Sequence, residues 1–216
     1  MKLLDLFCGA GGAAMGYHRA GFEVVGVDVK PQPRYPFEFH QADAMTFPLD
    51  GYDAIHASPP CQAYIQRNKN LATKHPKLIG PTRDRLVVAG VPYVIENVLP
   101  EVLITPWMAC GTAFGLAIRR HRFFETPSLL ALSRPCYHWG TVAAGDFAAV
   151  YARGGKGHRH GPGVRDAGPM PSKVSWADAM GIDWMEPKEL TQAIPPAYTE
   201  FIGKHLMAAL RAGCPQ

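Results

Sequence analysis

Several features are missing from this chain, and each absence excludes something. No apolar run approaches the ~18 residues of a membrane span. The opening Met1-Lys2-Leu3-Leu4-Asp5 reaches an acid, and then glycines, too soon for a secretory signal. The 5 cysteines are odd in number, scattered and without a CxxC pair. That argues against a disulfide framework and for free thiols in a reducing, cytoplasmic setting. There is no internal repeat and no coiled-coil heptad, so a monomer is the expectation. What remains is ordinary: 216 residues, 47% hydrophobic and 19% charged. This fits one globular domain, or one with a small appendage, and it needs no staples to fold.

The net charge is +4, and its distribution says more than its total. Residues 1–62 carry 4 basic and 7 acidic side chains, residues 63–85 carry 6 and 1, and residues 126–173 carry 6 and 2. Two basic segments in an acidic frame suit loops that grip a polyanion. Two solvated surface loops would have the same composition.

Strand-like and helix-like stretches alternate through the first hundred residues. Lys2–Phe7 is a strand that runs into Cys8-Gly9-Ala10-Gly11-Gly12, and Ala13–Ala20 is a helix capped by Gly21. Glu23–Val27 is a strand closed by Asp28, and a further strand precedes Asp43. Tyr52–Ala57 leads to Ser58-Pro59-Pro60-Cys61-Gln62, and Tyr93–Ile95 leads to Glu96-Asn97-Val98. The pattern predicts an α/β fold with a mostly parallel sheet covered by helices on both faces. Ligands of such sheets bind beyond the carboxyl ends of the strands. Residues 126–173 break the pattern with 8 glycines and 5 prolines. They read as an inserted lobe of loops with one candidate strand, Val142–Val150. Order returns at Val174–Met180, and Glu200–Leu210 reads as an amphipathic helix.

Four places carry candidate chemistry. Glycines between strand and helix in Asp5–Gly12 let a backbone approach a ligand closely. Asp28, about twenty residues on, can accept bonds from ribose hydroxyls. Asp43 can serve an adenine amine, or be a plain turn aspartate. Two prolines before Cys61 present a thiol rigidly, although most cysteines are inert small hydrophobes. Glu96 ends the next strand and can face Cys61, or cap a turn. Arg120 and Arg122, if extended, share a face and can fork a phosphate or a base edge.

In this order the motifs resemble those of the DNA cytosine-5 methyltransferase family, in a compact prokaryotic or phage form. Asp5–Gly12 is similar to its cofactor motif, Pro60-Cys61-Gln62 to its nucleophile motif, Glu96-Asn97-Val98 to its acid motif and Arg120-x-Arg122 to its paired arginines. Gln192-Ala193-Ile194-Pro195-Pro196 is similar to its last motif, which returns the C-terminal segment to the cofactor pocket. This chain departs from the pattern at Gln192, where the family has Asn, at Ile118, where it has Gln, and at Gly181-Ile182, where it has Gly-Phe.

The resemblance implies a Rossmann-like, S-adenosyl-L-methionine-dependent methyltransferase fold that releases S-adenosyl-L-homocysteine. Residues 1–125 and 174–216 would form the catalytic domain, and 126–173 a small target-recognition lobe. The cofactor pocket would draw on Phe7, Cys8, Gly9, Gly11 and Gly12. Asp28, Asp43 and Pro60 would join them, with Gln192 and Ala193 from the returning segment.

The implied reaction is methyl transfer to C5 of a cytosine flipped out of duplex DNA. Cys61 would add to C6, Glu96 would offset charge at N3, Arg122 would meet the base carbonyl, and Arg120 would orient Glu96 or Cys61. Gln62 and the basic segment with Arg67, Lys69, Lys74, Lys77, Arg83 and Arg85 would contact DNA. Arg153, Lys156, Arg159 and Arg165 of the lobe would read a short target of about two to four base pairs. Cys136-x-His138 and His158-x-His160 have gaps tighter than usual zinc spacings, so no metal is expected. Two rivals stay open: a tRNA cytosine-5 methyltransferase, and a non-catalytic DNA-binding protein on the same fold. A cognate restriction endonuclease is also left open as a partner, and a membrane is not expected.

Overall fold

The computed structural model describes residues 1–64, 76–127, 129, 134–141, 144–148, 150 and 175–213. Seven strands form one sheet: β1 (Lys2–Leu6), β2 (Glu23–Asp28), β3 (Glu38–Gln41), β4 (Ala54–Ala57), β5 (Tyr93–Asn97), β6 (Trp107–Cys110) and β7 (His121–Glu125). Their spatial order is β3-β2-β1-β4-β5-β7-β6. The first five pair in parallel, and β7 runs antiparallel to both β5 and β6. This is the Rossmann-like, mostly parallel sheet covered by helices on both faces that the sequence predicts. The order reverses between β1 and β4, and the crevice beyond their carboxyl ends is where such a sheet can take a ligand.

The parallel strands are apolar on both faces because both faces are covered. Alternate residues go to opposite sides. Leu3, Val24, Ala54 and Val94 pack with Tyr17, Tyr198, Ile202 and Leu206. Their neighbours Leu4, Val25, Ile55 and Ile95 pack with Ile79 and Leu86. The first layer is made by α1 (Gly12–Arg19) and α5 (Pro196–Arg211), and the second by α2 (Ile79–Ala89). α1 and α5 lie unusually close. A Cβ on Gly16 would fall 2.0 Å from Thr199 Oγ1 and 2.2 Å from the Pro196 carbonyl oxygen. Thr199 Oγ1 donates to the Ala13 carbonyl at 2.9 Å, which locks the C-terminal helix onto the helix that follows the glycine loop.

Two short helices, α3 (Trp176–Met180) and α4 (Pro187–Leu190), complete the fold. Ala179, Met180, Ile182 and Leu190 form a third cluster with Ile118, Ala148 and Val150. The described end of the 126–173 segment is thus packed into the body of the fold. Within the predicted strand Val142–Val150 the described residues hold turns and a single parallel bridge, Ile118 to Ala148. Phe147 and Ala148 are buried there among apolar neighbours, so burial rather than strand pairing explains their apolar run. β6 is not foreseen in the sequence. No helix among the described residues is long and apolar enough to cross a membrane.

Candidate active site

β1 ends at a loop whose backbone is shaped for a ligand. Phe7 and Gly9 have positive φ, 58° and 50°, and Gly11 follows at 86°. For Phe7 this left-handed conformation costs about 1–2 kcal/mol, a strain that tends to gather at binding sites. Asp28, at the end of β2, holds the loop: its Oδ2 accepts from Gly9 N at 3.1 Å, and its Oδ1 accepts from Lys30 N at 2.9 Å. Carboxylate oxygens have further lone pairs, so Asp28 can still accept from a ligand. The Trp184 indole donates to the Ala10 carbonyl at 2.9 Å from the other side.

The loop borders a cleft of about 430 Å³, a size that suits a nucleoside-sized ligand. Phe7, Cys8, Gly9, Gly12 and Asp28 line it, as do Pro60, Gln192 and Ala193. Cys61, Gln62, Glu96 and Arg122 belong to the same lining. The sequence motifs therefore meet in one place. The Cys8 thiol is pushed up by burial and by Asp5 and Asp28, so it stays protonated and the residue serves through its backbone.

Two predicted cofactor residues lie elsewhere. Gly11 turns away from the cleft and packs under Tyr35 and Pro36, where a Cβ would fall 2.8 Å from Pro36 Cδ. Asp43 is exposed and closes its own turn, accepting from Met45 N at 2.8 Å. It is the plain turn aspartate.

Glu96 is buried at the end of β5, with a small part of its side chain open to the cleft. Burial raises its carboxyl above the ordinary range, while Arg122, Arg120 and a hydrogen bond from Ser58 oppose the rise. Arg122 Nε stands 2.9 Å from Glu96 Oε1, although Oε1 has no well-aligned hydrogen bond among the described residues. Behind Ser58 runs a buried chain. Tyr17 Oη lies 2.9 Å from His56 Nδ1, and His56 Nε2 lies 2.8 Å from Ser58 Oγ. Burial pushes His56 down to about 3, so it is neutral. With Ser58 donating to Glu96, His56 would donate through Nε2 and accept from Tyr17. A buried chain of polar groups thus runs from the core to Glu96.

Cys61 is half-buried, and its thiol is raised by desolvation and by Glu96, with Arg122 opposing. Asn97 fixes the loop that carries it. Its Nδ2 donates to the Pro59 carbonyl at 3.1 Å, and its Oδ1 accepts from Val98 N at 3.0 Å. The loop that carries Cys61 and the end of β5 are therefore tied by one buried amide.

Arg120 does different work from that predicted. Arg122, not Arg120, stands against Glu96. Arg120 is buried and donates to the carbonyls of Ala193 at 3.0 Å, Val150 at 3.1 Å and Thr191 at 2.7 Å. Its distance in sequence from these partners is why the motif alone could not show them. Arg120 positions the returning segment against the cleft and touches neither Glu96 nor Cys61. Arg83 and Arg85 are also not poised for DNA. Arg83 forks Glu125 with two bonds of 2.7 Å, and Arg85 donates to the carbonyls of Ala44 at 2.6 Å and Phe47 at 2.7 Å. Arg67, Lys69, Lys74, Arg153, Lys156, Arg159 and Arg165 lie outside the described residues, as do His158 and His160.

The sequence reading passed over Asp5 as a site residue. Its carboxyl is fully buried beside the cleft, and neither oxygen has a partner among the described residues. Burial and Asp28 raise it well above the ordinary range. An unpartnered buried carboxyl costs stability unless a ligand meets it. Its place as the first residue of the glycine motif was the available signal.

No family model matches the chain, and no curated protein matches it. Solved structures do. One, described as a DNA modification methyltransferase encoded within a prophage of E. coli, superimposes with a TM-score of 0.63 over 98% of this chain and 99% of that one, at 16% identity. A methyltransferase of Entamoeba histolytica gives a TM-score of 0.58 over 100% and 99%, at 12% identity. At these identities the likeness establishes the fold.

Proposed function

We propose that this protein is a DNA (cytosine-5) methyltransferase that uses S-adenosyl-L-methionine. The observation that carries the reading is that Cys61, Glu96 and Arg122 line the same cleft as the glycine loop, with Arg122 Nε 2.9 Å from Glu96 Oε1. A binding module has no physical need for a thiol clamped beside a buried acid.

The cofactor fits the residues present. Asp5 offers a buried carboxyl without a partner, which a cationic ligand group would ionise and satisfy. Asp28 offers free lone pairs at the end of β2, where ribose hydroxyls bind in folds of this kind. Gly9 leaves room for close approach, since nothing lies within 4 Å of where its Cβ would be, while Gly12 makes room for the Ile194 backbone of the returning segment. S-adenosyl-L-methionine, when bound, supplies an electrophilic methyl group.

The chain's own residues would make cytosine reactive. C5 of cytosine is a poor nucleophile until C6 carries an adduct. Cys61 adds to C6 as the thiolate and leaves again when the C5 proton is lost. Negative charge builds toward N3 as that adduct forms. Glu96, whose hold on a proton is strengthened by burial, would share or give its proton there, and the Ser58 hydroxyl would hold the carboxylate that remains. Arg122 stays beside that carboxylate and limits the cost of its charge. The base must leave the duplex to reach Cys61, and Gln62, whose buried Oε1 has no partner among the described residues, stands next to the place it would occupy.

The test is nucleoside mass spectrometry on DNA from a host without cytosine methylation of its own. Cells with the intact protein should accumulate 5-methylcytosine, and cells with Cys61→Ala should show none above background. Equal modification with Cys61→Ala would contradict the assignment. Modification confined to tRNA would move the substrate from DNA to RNA.

A further inference from the structure

A second cluster of reactive side chains lies outside the cleft. Cys110 ends β6 and His121 begins β7, and the two are direct partners in the antiparallel register. Cys136 and His138 come from the stretch just beyond. Being two residues apart, they can reach the same side of an extended backbone. We propose that these four residues form a structural zinc site that fastens the root of the 126–173 segment to the edge of the sheet.

The distances are those of a metal shell. Cys110 Sγ lies 3.3 Å from His138 Nε2, His121 Nε2 lies 3.3 Å from His138 Nε2, and Cys136 Sγ lies 3.9 Å from His121 Nε2. All four ligand atoms fall within 4.8 Å of one another. Tetrahedral zinc with Zn–S near 2.3 Å and Zn–N near 2.05 Å has edges of about 3.3 Å for N to N and about 3.6 Å for N to S. The two 3.3 Å separations and the 3.9 Å one lie within about 0.3 Å of these edges, and the remaining pairs, within 4.8 Å, need only a small contraction to close on an ion. Two thiols and two imidazoles make poor hydrogen-bond partners for one another, because a thiol is a weak donor. Two sulfurs and two nitrogens, with no carboxylate among them, are a ligand set that suits zinc and fills all four of its positions.

The position gives the site a purpose. β6 is the edge strand, and the stretch with Cys136 and His138 is otherwise held there by exposed contacts. These include Arg134 Nε to the Ala113 carbonyl at 2.5 Å and Arg119 to the Trp139 and Gly140 carbonyls. His121 also lies between Arg120 and Arg122, with its side chain on the opposite face by strand alternation. A metal on His121 would fix the start of β7, and with it the arginine that meets Glu96. The ligands are spread as Cys110, His121 and Cys136-x-His138, so no compact spacing motif announces them. The pairing of Cys136-x-His138 with His158-x-His160 considered from the sequence is replaced by this one.

The experiment is elemental analysis of the full chain, purified without chelators or metal-affinity resin and passed through gel filtration. One zinc per chain is expected. Cys136→Ser combined with His138→Ala should bring it near zero, while Cys61→Ser should leave it unchanged. Chelator-stripped wild-type protein given cobalt(II) should show the d–d bands of a tetrahedral site and a thiolate-to-cobalt charge-transfer band. This second readout decides the matter even if the double variant fails to fold. Wild-type protein that takes up neither zinc nor tetrahedral cobalt would overturn the proposal. So would full zinc retention by the double variant, or a Cys110–Cys136 disulfide in the intact-mass spectrum. None of these readouts depends on methyl transfer, so the site can fail or stand apart from the proposed activity.

Discussion

Glu96 and Arg122 pull the proton affinity of Cys61 in opposite directions. Each is raised by burial, Glu96 raises Cys61 further, and Arg122 lowers both. The reaction proposed needs the unusual pair of states, Cys61 ionised and Glu96 protonated. Arg122 favours the first, and burial of Glu96 favours the second. The coupling has a sign that can be measured by the pH dependence of iodoacetamide alkylation at Cys61. Glu96→Gln removes a negative neighbour, so the alkylation midpoint should fall by about one pH unit. Arg122→Met removes a positive neighbour, so the midpoint should rise by a similar amount. Unchanged midpoints, or shifts in the same direction, would show that the three groups do not face one another in solution. Arg122 shows what the motif could reveal. Its residue type and its place beside the cleft were legible, but its partner, Glu96, depends on how β7 pairs with β5.

Arg83 on α2 and Glu125 on β7 tie a helix to the antiparallel half of the sheet. Glu125 is 1% exposed, and it also accepts from Ile104 N at 2.8 Å. Arg83 adds a bond to the Val102 carbonyl at 3.0 Å. Removing one partner of a buried pair strands the other charge, at a cost of about 3–5 kcal/mol. Arg83→Met should therefore destabilise the protein by about 3 kcal/mol in urea unfolding, and adding Glu125→Leu should recover most of the loss. Near-normal stability of Arg83→Met, combined with weaker DNA binding, would return Arg83 to the phosphate-contact role that its basic segment first suggested. That suggestion failed for a physical reason. Charge density along a sequence does not show which cations are consumed by buried carboxylates more than forty residues away. The strands tell the same story. β1, β2, β4 and β5 were legible because each is an apolar run that ends in Gly, Pro or polar residues at the ligand edge. β6 is four residues long, Trp107–Cys110, and it exists because β7 is there to pair with it. That is a tertiary cause with no local signature.

For the whole molecule, the parallel half of the sheet delivers the glycine loop, Asp28, Cys61 and Glu96 to one crevice. The antiparallel half delivers Arg122. The C-terminal segment is returned to the same crevice by Arg120, by α5 on α1, and by the Trp184 indole on Ala10. The site is thus assembled from both ends of the chain. The sequence order of the motifs revealed that assembly, whereas the carbonyl partners of Arg120 and the orphaned carboxyl of Asp5 required the fold. The central claim is that Cys61 attacks C6 of a cytosine held in this crevice. It is tested most directly with duplex DNA containing 5-fluorocytosine, incubated with the protein and S-adenosyl-L-methionine. Fluorine at C5 cannot leave as a proton, so the adduct should be trapped. Peptide mass spectrometry should find a methylated, fluorinated nucleotide on Cys61, and no adduct should form with Cys61→Ala. An adduct on another cysteine, or turnover of cytosine in ordinary DNA with no adduct at all, would contradict the account.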